Sequence, residues 1–139
     1  MIVTFFGHRD SRESLRPALR ETVKNILEQH PGAVFYVGSE GGFDGLVTSV
    51  LKEISSDYPT MKCYKILAYL PKEKGADFPP TLYPEGLETV PKRFAICRRN
   101  EWMLAKADLV VTHAVSPAGN ATKMKALAER KGKTVINLI

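Results

Sequence analysis

Leu109-Val-Val-Thr-His-Ala-Val115 leads directly into Ser116-Pro-Ala-Gly-Asn-Ala-Thr122, and from Ala121 to Arg130 the apolar spacing becomes helical. A strongly apolar, β-branched run of this kind reads as a buried strand. A strand that ends in a small glycine-bearing turn and then starts a helix aims backbone N–H groups and the positive helix end at whatever lies above. Such a turn suits a phosphate, although many α/β proteins carry turns like it that bind nothing. Two other strand ends have the same character, Phe6-Gly-His-Arg9 and Val37-Gly-Ser-Glu-Gly-Gly-Phe-Asp44. The expectation of a site rests on all three converging.

Outward from that stretch, the same order recurs. Ile2 to Phe6 is a short run of β-branched and aromatic residues that stops at Gly7, with His8 and Arg9 at its carboxyl end. Asp10 and Glu13 resemble a capping box for a helix beginning near Ser14, where Pro17 is tolerated in the first turn. Leu15, Leu19, Val23, Ile26 and Leu27 form its apolar face, while Arg12, Arg16, Arg20 and Lys24 line a solvated one. His30-Pro-Gly32 ends it, and Ala33 to Val37 is the second strand. Gly38, Gly41, Gly42 and Gly45 allow close approach of a ligand to the main chain. Asp44 precedes the helix face Leu46, Val47, Val50, Leu51 and Ile54, so it is read as a helix N-cap, a ligand contact, or both.

Tyr64 to Leu70 suits a third strand covered on both faces. Residues 71–92 hold five prolines and no periodicity, and are read as a lid or an oligomer contact in which Phe78, Leu82 and Tyr83 pack on something apolar. Arg93 to Ala107 is a third helix in which Arg99 and Met103 share a face. After Asp108 come the strand and turn quoted above, then a helix with Met124, Leu127 and Ala128 inward, Gly132, and a last strand from Thr134 to Ile139.

The 139 residues suit one domain, 1–139, burying roughly 70% of the surface exposed when unfolded. No apolar run reaches the ~18 residues of a membrane span, and Met1-Ile-Val-Thr-Phe-Phe lacks the basic start and cleavage pattern of a signal peptide, so a cytoplasmic location is expected. Cys63 and Cys97 lack paired spacing and are expected to be buried free thiols. His8, His30 and His113 do not fall at ligand spacing, so no metal is expected, and no cofactor is implied. Residues 1–91 carry ten Lys and Arg against twelve Asp and Glu, whereas 92–139 carry ten against three, giving −2 and +7. A polyanion would be drawn to the carboxyl-terminal third, which holds the central turn.

Alternation of strand and helix throughout predicts a three-layer α/β domain with a mostly parallel five-stranded sheet in the order 3-2-1-4-5. Ligands bind such sheets beyond the carboxyl strand ends where the order reverses, here between strands one and four. Gly7-His8-Arg9 would then face residues 116–122, with the loop from Gly38 to Asp44 beside them.

Gly-His-Arg after the first strand, Gly38-x-x-x-Gly42-x-Asp44 after the second, Arg99-Asn100 with Met103 before Ala107-Asp108, and the Gly119-Asn-Ala-Thr122 turn together resemble the SLOG superfamily. That group contains the DprA/Smf proteins, the LOG phosphoribohydrolases and small stand-alone Rossmann-like proteins. The resemblance covers the chain apart from the Pro-rich segment. It implies a Rossmann-like fold, a site for a nucleotide or nucleotide-derived ligand, and in some relatives cleavage of the N-glycosidic bond. By that resemblance Gly119 and Thr122 hold phosphate within the turn of Ser116, Asn120 and Ala121. Arg9 and Arg99, with Asn100, lie beside the ligand, and Asp44 meets a ribose hydroxyl or the base. Relatives of this kind imply a homodimer or higher homo-oligomer.

One departure matters. The LOG pattern places a glutamate shortly after a Gly-Gly-x-Gly-Thr turn, and this chain has no acid between Gly119 and Glu129. Glycosidic hydrolysis needs a carboxylate. The expected function is therefore nucleotide-ligand binding, as a sensor or processing module. A phosphoribohydrolase-like reaction is the alternative, with Asp44 or Glu40 replacing the missing acid. DprA-like nucleic-acid binding ranks last, because only Phe94 and Trp102 accompany the basic residues after Arg93. His8 is the one histidine placed to act as acid or base, although a hydrogen-bonding structural role accounts for it as well.

Overall fold

The computed structural model describes residues 1–9, 11–71 and 78–139. In chain order the elements are β1 (Ile2–Gly7), α1 (Arg16–Gln29), β2 (Val34–Val37), α2 (Gly41–Ile54), β3 (Lys62–Ile66), β4 (Thr81–Leu82), α3 (Ala95–Lys106), β5 (Leu109–His113), α4 (Asn120–Arg130) and β6 (Thr134–Asn137). All six strands run parallel in the order β4-β3-β2-β1-β5-β6. Five of them follow the expected order, with β5 and β6 in the fourth and fifth places.

The sixth strand is a correction. Thr81 and Leu82 pair with Lys65 and Ile66, so the Pro-rich segment supplies an edge of the sheet. Leu82 packs on the α3/α4 side of the core and Phe78 on the other. The third strand is also displaced: it occupies Lys62–Ile66 instead of Tyr64 to Leu70, and Ala68, Tyr69 and Leu70 lie beyond its end.

Strand side chains alternate between two cores. Val3, Phe5, Phe35, Val37 and Val111 face Leu19, Val23, Val47 and Val50 from α1 and α2. Phe6, Ile66 and Val110 face Met103, Leu104, Met124 and Ala128 from α3 and α4. Phe5 and Phe35 stack across neighbouring strands at 5.9 Å. Asp108 fixes the entry to β5: its carboxylate accepts from the Ile2 N–H and its own N–H donates to the Ile2 carbonyl, each at 2.8 Å.

A 3-10 turn at Glu13–Leu15 precedes α1, which starts at Arg16 and holds Pro17 in its first turn. Asp10, half of the expected capping box, lies outside the described residues. The basic face of α1 is a wet surface as read: Arg16 pairs with Glu13 and with Glu53 (2.6 Å), and Arg20 with Glu53 (2.9 Å). Cys63 is buried, and burial pushes its thiol up to about 11. Cys97 is exposed, contrary to expectation, because it lies on the outward face of α3 near Glu101. No helix among the described residues is long and apolar enough to cross a membrane.

Candidate functional site

Because the sheet is parallel, the turns after β1, β2 and β5 all leave from its carboxyl edge, and they touch. The Gly42 N–H donates to the Arg9 carbonyl at 2.7 Å, joining the first loop to the start of α2. His8 Nε2 accepts from the Val115 and Ser116 N–H groups at 3.2 and 3.3 Å, joining the first loop to the third. His8 therefore has the structural role, and it engages two N–H groups of the central turn.

Between these loops and α3 lies a cleft of about 110 Å³. Arg9, Glu40, Asp44, Arg99, Asn100 and Asn120 supply its polar lining; Gly7 and Gly38 complete it with Phe5, Phe6, Ile96 and Met103. Eight of the residues singled out in the sequence thus share one cavity. Ser116 lies on the far side of His8, lining a separate hollow with His8 and His113. Gly41, Gly42, Gly119, Ala121 and Thr122 do not line the cleft. Thr122 donates its hydroxyl to the Ser116 carbonyl (2.6 Å), closing the turn on itself. Gly119 is the N-cap of α4 and brings no side-chain cap, so the N–H groups of the first turn of α4 are left to whatever lies above them.

Arg99 is the polar centre. It is 3% exposed although it sits on a helix of charged residues. Ala95, Arg99 and Met103 occupy successive turns of one face, and all three are buried. Its three hydrogen bonds among the described residues go to neutral oxygens: Nε to Asn100 Oδ1 (3.1 Å), Nη1 to Ser39 Oγ (3.0 Å) and to the Ile66 carbonyl (3.3 Å). Burial pulls its pKa down and the charges of Asp44 and Glu40 push it back up. An arginine remains cationic at neutral pH in any case, so a positive charge is held at the wall of a narrow cleft.

Asp44 is the counterweight. It is not the N-cap of α2, which is Glu40; it lies within the first turn and reaches back so that its Oδ2 accepts from the Glu40 N–H at 3.0 Å. The cap reading failed because the carboxylate comes from inside the helix, in the manner of the reciprocal half of a capping box. Burial raises its pKa to about 6; the Glu40 N–H and the Arg99 charge oppose this without offsetting it. A carboxyl that exchanges its proton near neutrality, facing a cleft beside a buried guanidinium, is a candidate for binding or acid–base work.

Four of the glycines, Gly7, Gly38, Gly41 and Gly42, make room for protein, not ligand. A Cβ on Gly38 would stand 2.5 Å from Asp44 Oδ2, and one on Gly7 would fall 2.1 Å from Phe43 Cγ. Residue 38 has to be glycine for Asp44 to lie where it does. Ser39 and the Ile66 carbonyl, which fix Arg99, were not found from the sequence; they are brought in by tertiary contact alone.

Among solved structures, DNA processing protein A (DprA) from Streptococcus pneumoniae matches 97% of the chain with a TM-score of 0.71 at 13% identity. A structural-genomics target named TM1055 matches 96% with a TM-score of 0.62 at 20% identity. These neighbours belong to the SLOG superfamily. The chain shares their fold. DprA from Helicobacter pylori, whose structure describes a single-stranded DNA binding mode, shares that fold over 100% of the chain with a TM-score of 0.63 at 14% identity. The chain spans about half (49%) of the Streptococcus protein, 71% of TM1055 and 65% of the Helicobacter protein. No protein-family model matches the chain, and neither does any curated protein.

The expectation against nucleic acid was drawn from the linear sequence. It rested on the scarcity of aromatics along the basic third of the sequence, and folding changes that count. Trp102 stacks on Tyr36 (5.4 Å between centroids), Tyr36 meets Tyr64 edge-on (6.2 Å), and Lys106 lies over the Trp102 ring. Three aromatic rings and a lysine, from separate parts of the chain, therefore share a face.

Proposed function

We propose that the chain binds a phosphorylated, nucleotide-derived ligand at the carboxyl edge of the sheet. The sugar hydroxyls meet Asp44 and Asn100, and the phosphate lies over the first turn of α4 with Arg9. The observation that carries this reading is the buried Arg99 guanidinium, bonded to neutral oxygens and sharing a cleft with a carboxyl whose pKa is raised to about 6. Holding such a charge out of water costs stability, which a ligand-binding role accounts for. The basic carboxyl-terminal third favours an anion at the same edge.

The test is a thermal-shift panel of nucleoside phosphates, ADP-ribose, dinucleotides and ribose 5-phosphate. A ligand at a hundred times Kd stabilises by about 2.7 kcal/mol, or roughly 9 °C for a chain of this size. A flat panel overturns the reading.

A hydrolytic version is favoured by the same carboxyl, because Asp44 lines the cleft and burial raises its pKa to about 6. In N-glycosidic cleavage water adds to the anomeric carbon as the base departs with a proton, and a carboxyl titrating near neutrality can accept the proton of that water. Release of free base from nucleoside monophosphates, abolished in Asp44→Asn, is the expected result; no release leaves binding without chemistry. Single-stranded nucleic acid is the other reading, favoured by the DprA neighbours and the Tyr36–Trp102 stack. It requires affinity that falls steeply with salt.

A further inference from the structure

The cleft at Arg99 is too small for the ligand assigned to it. At about 110 Å³ it has room for three or four waters, since each takes roughly 30 Å³. Sites that enclose a whole small molecule run to about 300–1,000 Å³. A sugar with part of its phosphate fills it, and the remainder of a nucleotide has to lie elsewhere.

A second hollow, of about 580 Å³, opens between the chain after β3, the segment after β4 and the start of α3. It shares no lining residue with the cleft, but the two linings are neighbours along α3, with Ala95 in the hollow and Ile96 in the cleft. Ala95, on its wall, lies one helical turn before Arg99, and Arg99 bonds the Ile66 carbonyl two residues before Ala68, which forms part of its floor. Tyr69, another wall residue, follows Ala68 directly along the chain.

We propose that this hollow takes the planar base of the same ligand, an inference that rests on the nucleotide reading above. Its chemistry fits a flat heterocycle. Ala68, Leu87 and Ala95 make a buried apolar floor, and Tyr69 and Tyr83 offer ring faces for stacking. The Tyr69 hydroxyl donates to the Lys92 carbonyl at 3.1 Å, tying two walls together so that the ring is held before any ligand arrives. Glu88 and Lys92 stand exposed at the mouth, an acceptor and a donor for the polar edge of a base and an obstacle to an acyl chain. Tyr83, Leu87, Glu88 and Lys92 all come from the segment outside the sequence resemblance, so this subsite belongs to this chain's own elaboration of the fold.

The test is calorimetry with ribose 5-phosphate and with the 5′-monophosphates of adenosine, guanosine, cytidine and uridine. At least one monophosphate should bind wild type ten times or more tightly than ribose 5-phosphate. Tyr83→Ala should remove that gain and leave ribose 5-phosphate affinity within twofold. Val90→Trp, which fills the hollow without truncating it, should do the same, and either variant is judged only if its thermal unfolding stays cooperative. If neither sugar phosphate nor nucleotide binds wild type, the underlying reading fails. If both bind equally, or the folded variants keep the gain, the subsite assignment fails while the cleft stands.

Discussion

Asp44→Asn isolates the cost of holding a carboxylate inside the protein. Burial lifts the Asp44 pKa from 3.8 to about 6, against the pull of the Glu40 N–H, Arg99 and Lys65. The folded chain therefore holds this proton more tightly than the unfolded chain. Between about pH 4 and 6 the folded form binds more protons, so stability falls as pH rises, and above pH 6 the full cost is present. At 1.36 kcal/mol per tenfold change in acidity, that cost is about 3 kcal/mol. Asparagine cannot titrate, yet its side-chain oxygen can still accept from the Glu40 N–H. The stability of Asp44→Asn relative to wild type should therefore rise by about 2.4 kcal/mol between pH 4 and pH 7.5, the remainder being incurred below pH 4. Urea unfolding of both proteins across that range measures it, and the difference cancels every other titrating group. A difference that stays flat with pH refutes the buried, proton-sharing Asp44 and removes the support for its role in acid–base chemistry.

Gly38→Ala should destabilise by about 1–3 kcal/mol as its new methyl meets the Asp44 carboxylate. The same change in an Asp44→Ser background should cost much less, and additive losses in the double-mutant cycle would show that the contact is not what matters. His8→Ala removes the acceptor for the Val115 and Ser116 amides. Losing about 1 kcal/mol there should speed hydrogen exchange at those two amides roughly fivefold while the β1 amides of Val3 and Phe5 keep wild-type protection. Uniform acceleration would place the effect in global stability instead.

The doubly covered sheet was legible because its strands are uninterrupted apolar runs and its helices carry clear stripes, as in Leu46, Val47, Val50, Leu51 and Ile54. Strand β4 was not. Thr81 and Leu82 are too few to show a period, sit among prolines, and become a strand only because β3 offers a free edge. Cys97 left its expected place for a related reason. Hydropathy turns the cysteine inward, but the stripe Ala95, Arg99, Met103, on which Arg99 and Met103 were already read together, fixes which face is buried. An arginine on an apolar stripe was the available signal for the centre of the site. Asp44 was read as a cap because capping rules look before a helix, and this carboxylate reaches back from inside it. The convergence of the three loops followed from parallel strands; the bridging by His8, Ser39 and the Ile66 carbonyl depended on side-chain geometry that no spacing encodes.

The ring of Phe43 occupies the position that a side chain at residue 7 would need. The first loop and the opening turn of α2 are thus not separately adjustable parts. A lineage that enlarged residue 7 would first have to surrender the ring, and with it the stack on His113 that steadies the end of β5. Divergence at this rim should proceed by exchanging pairs across loops, leaving its backbone path older than the side chains that decorate it.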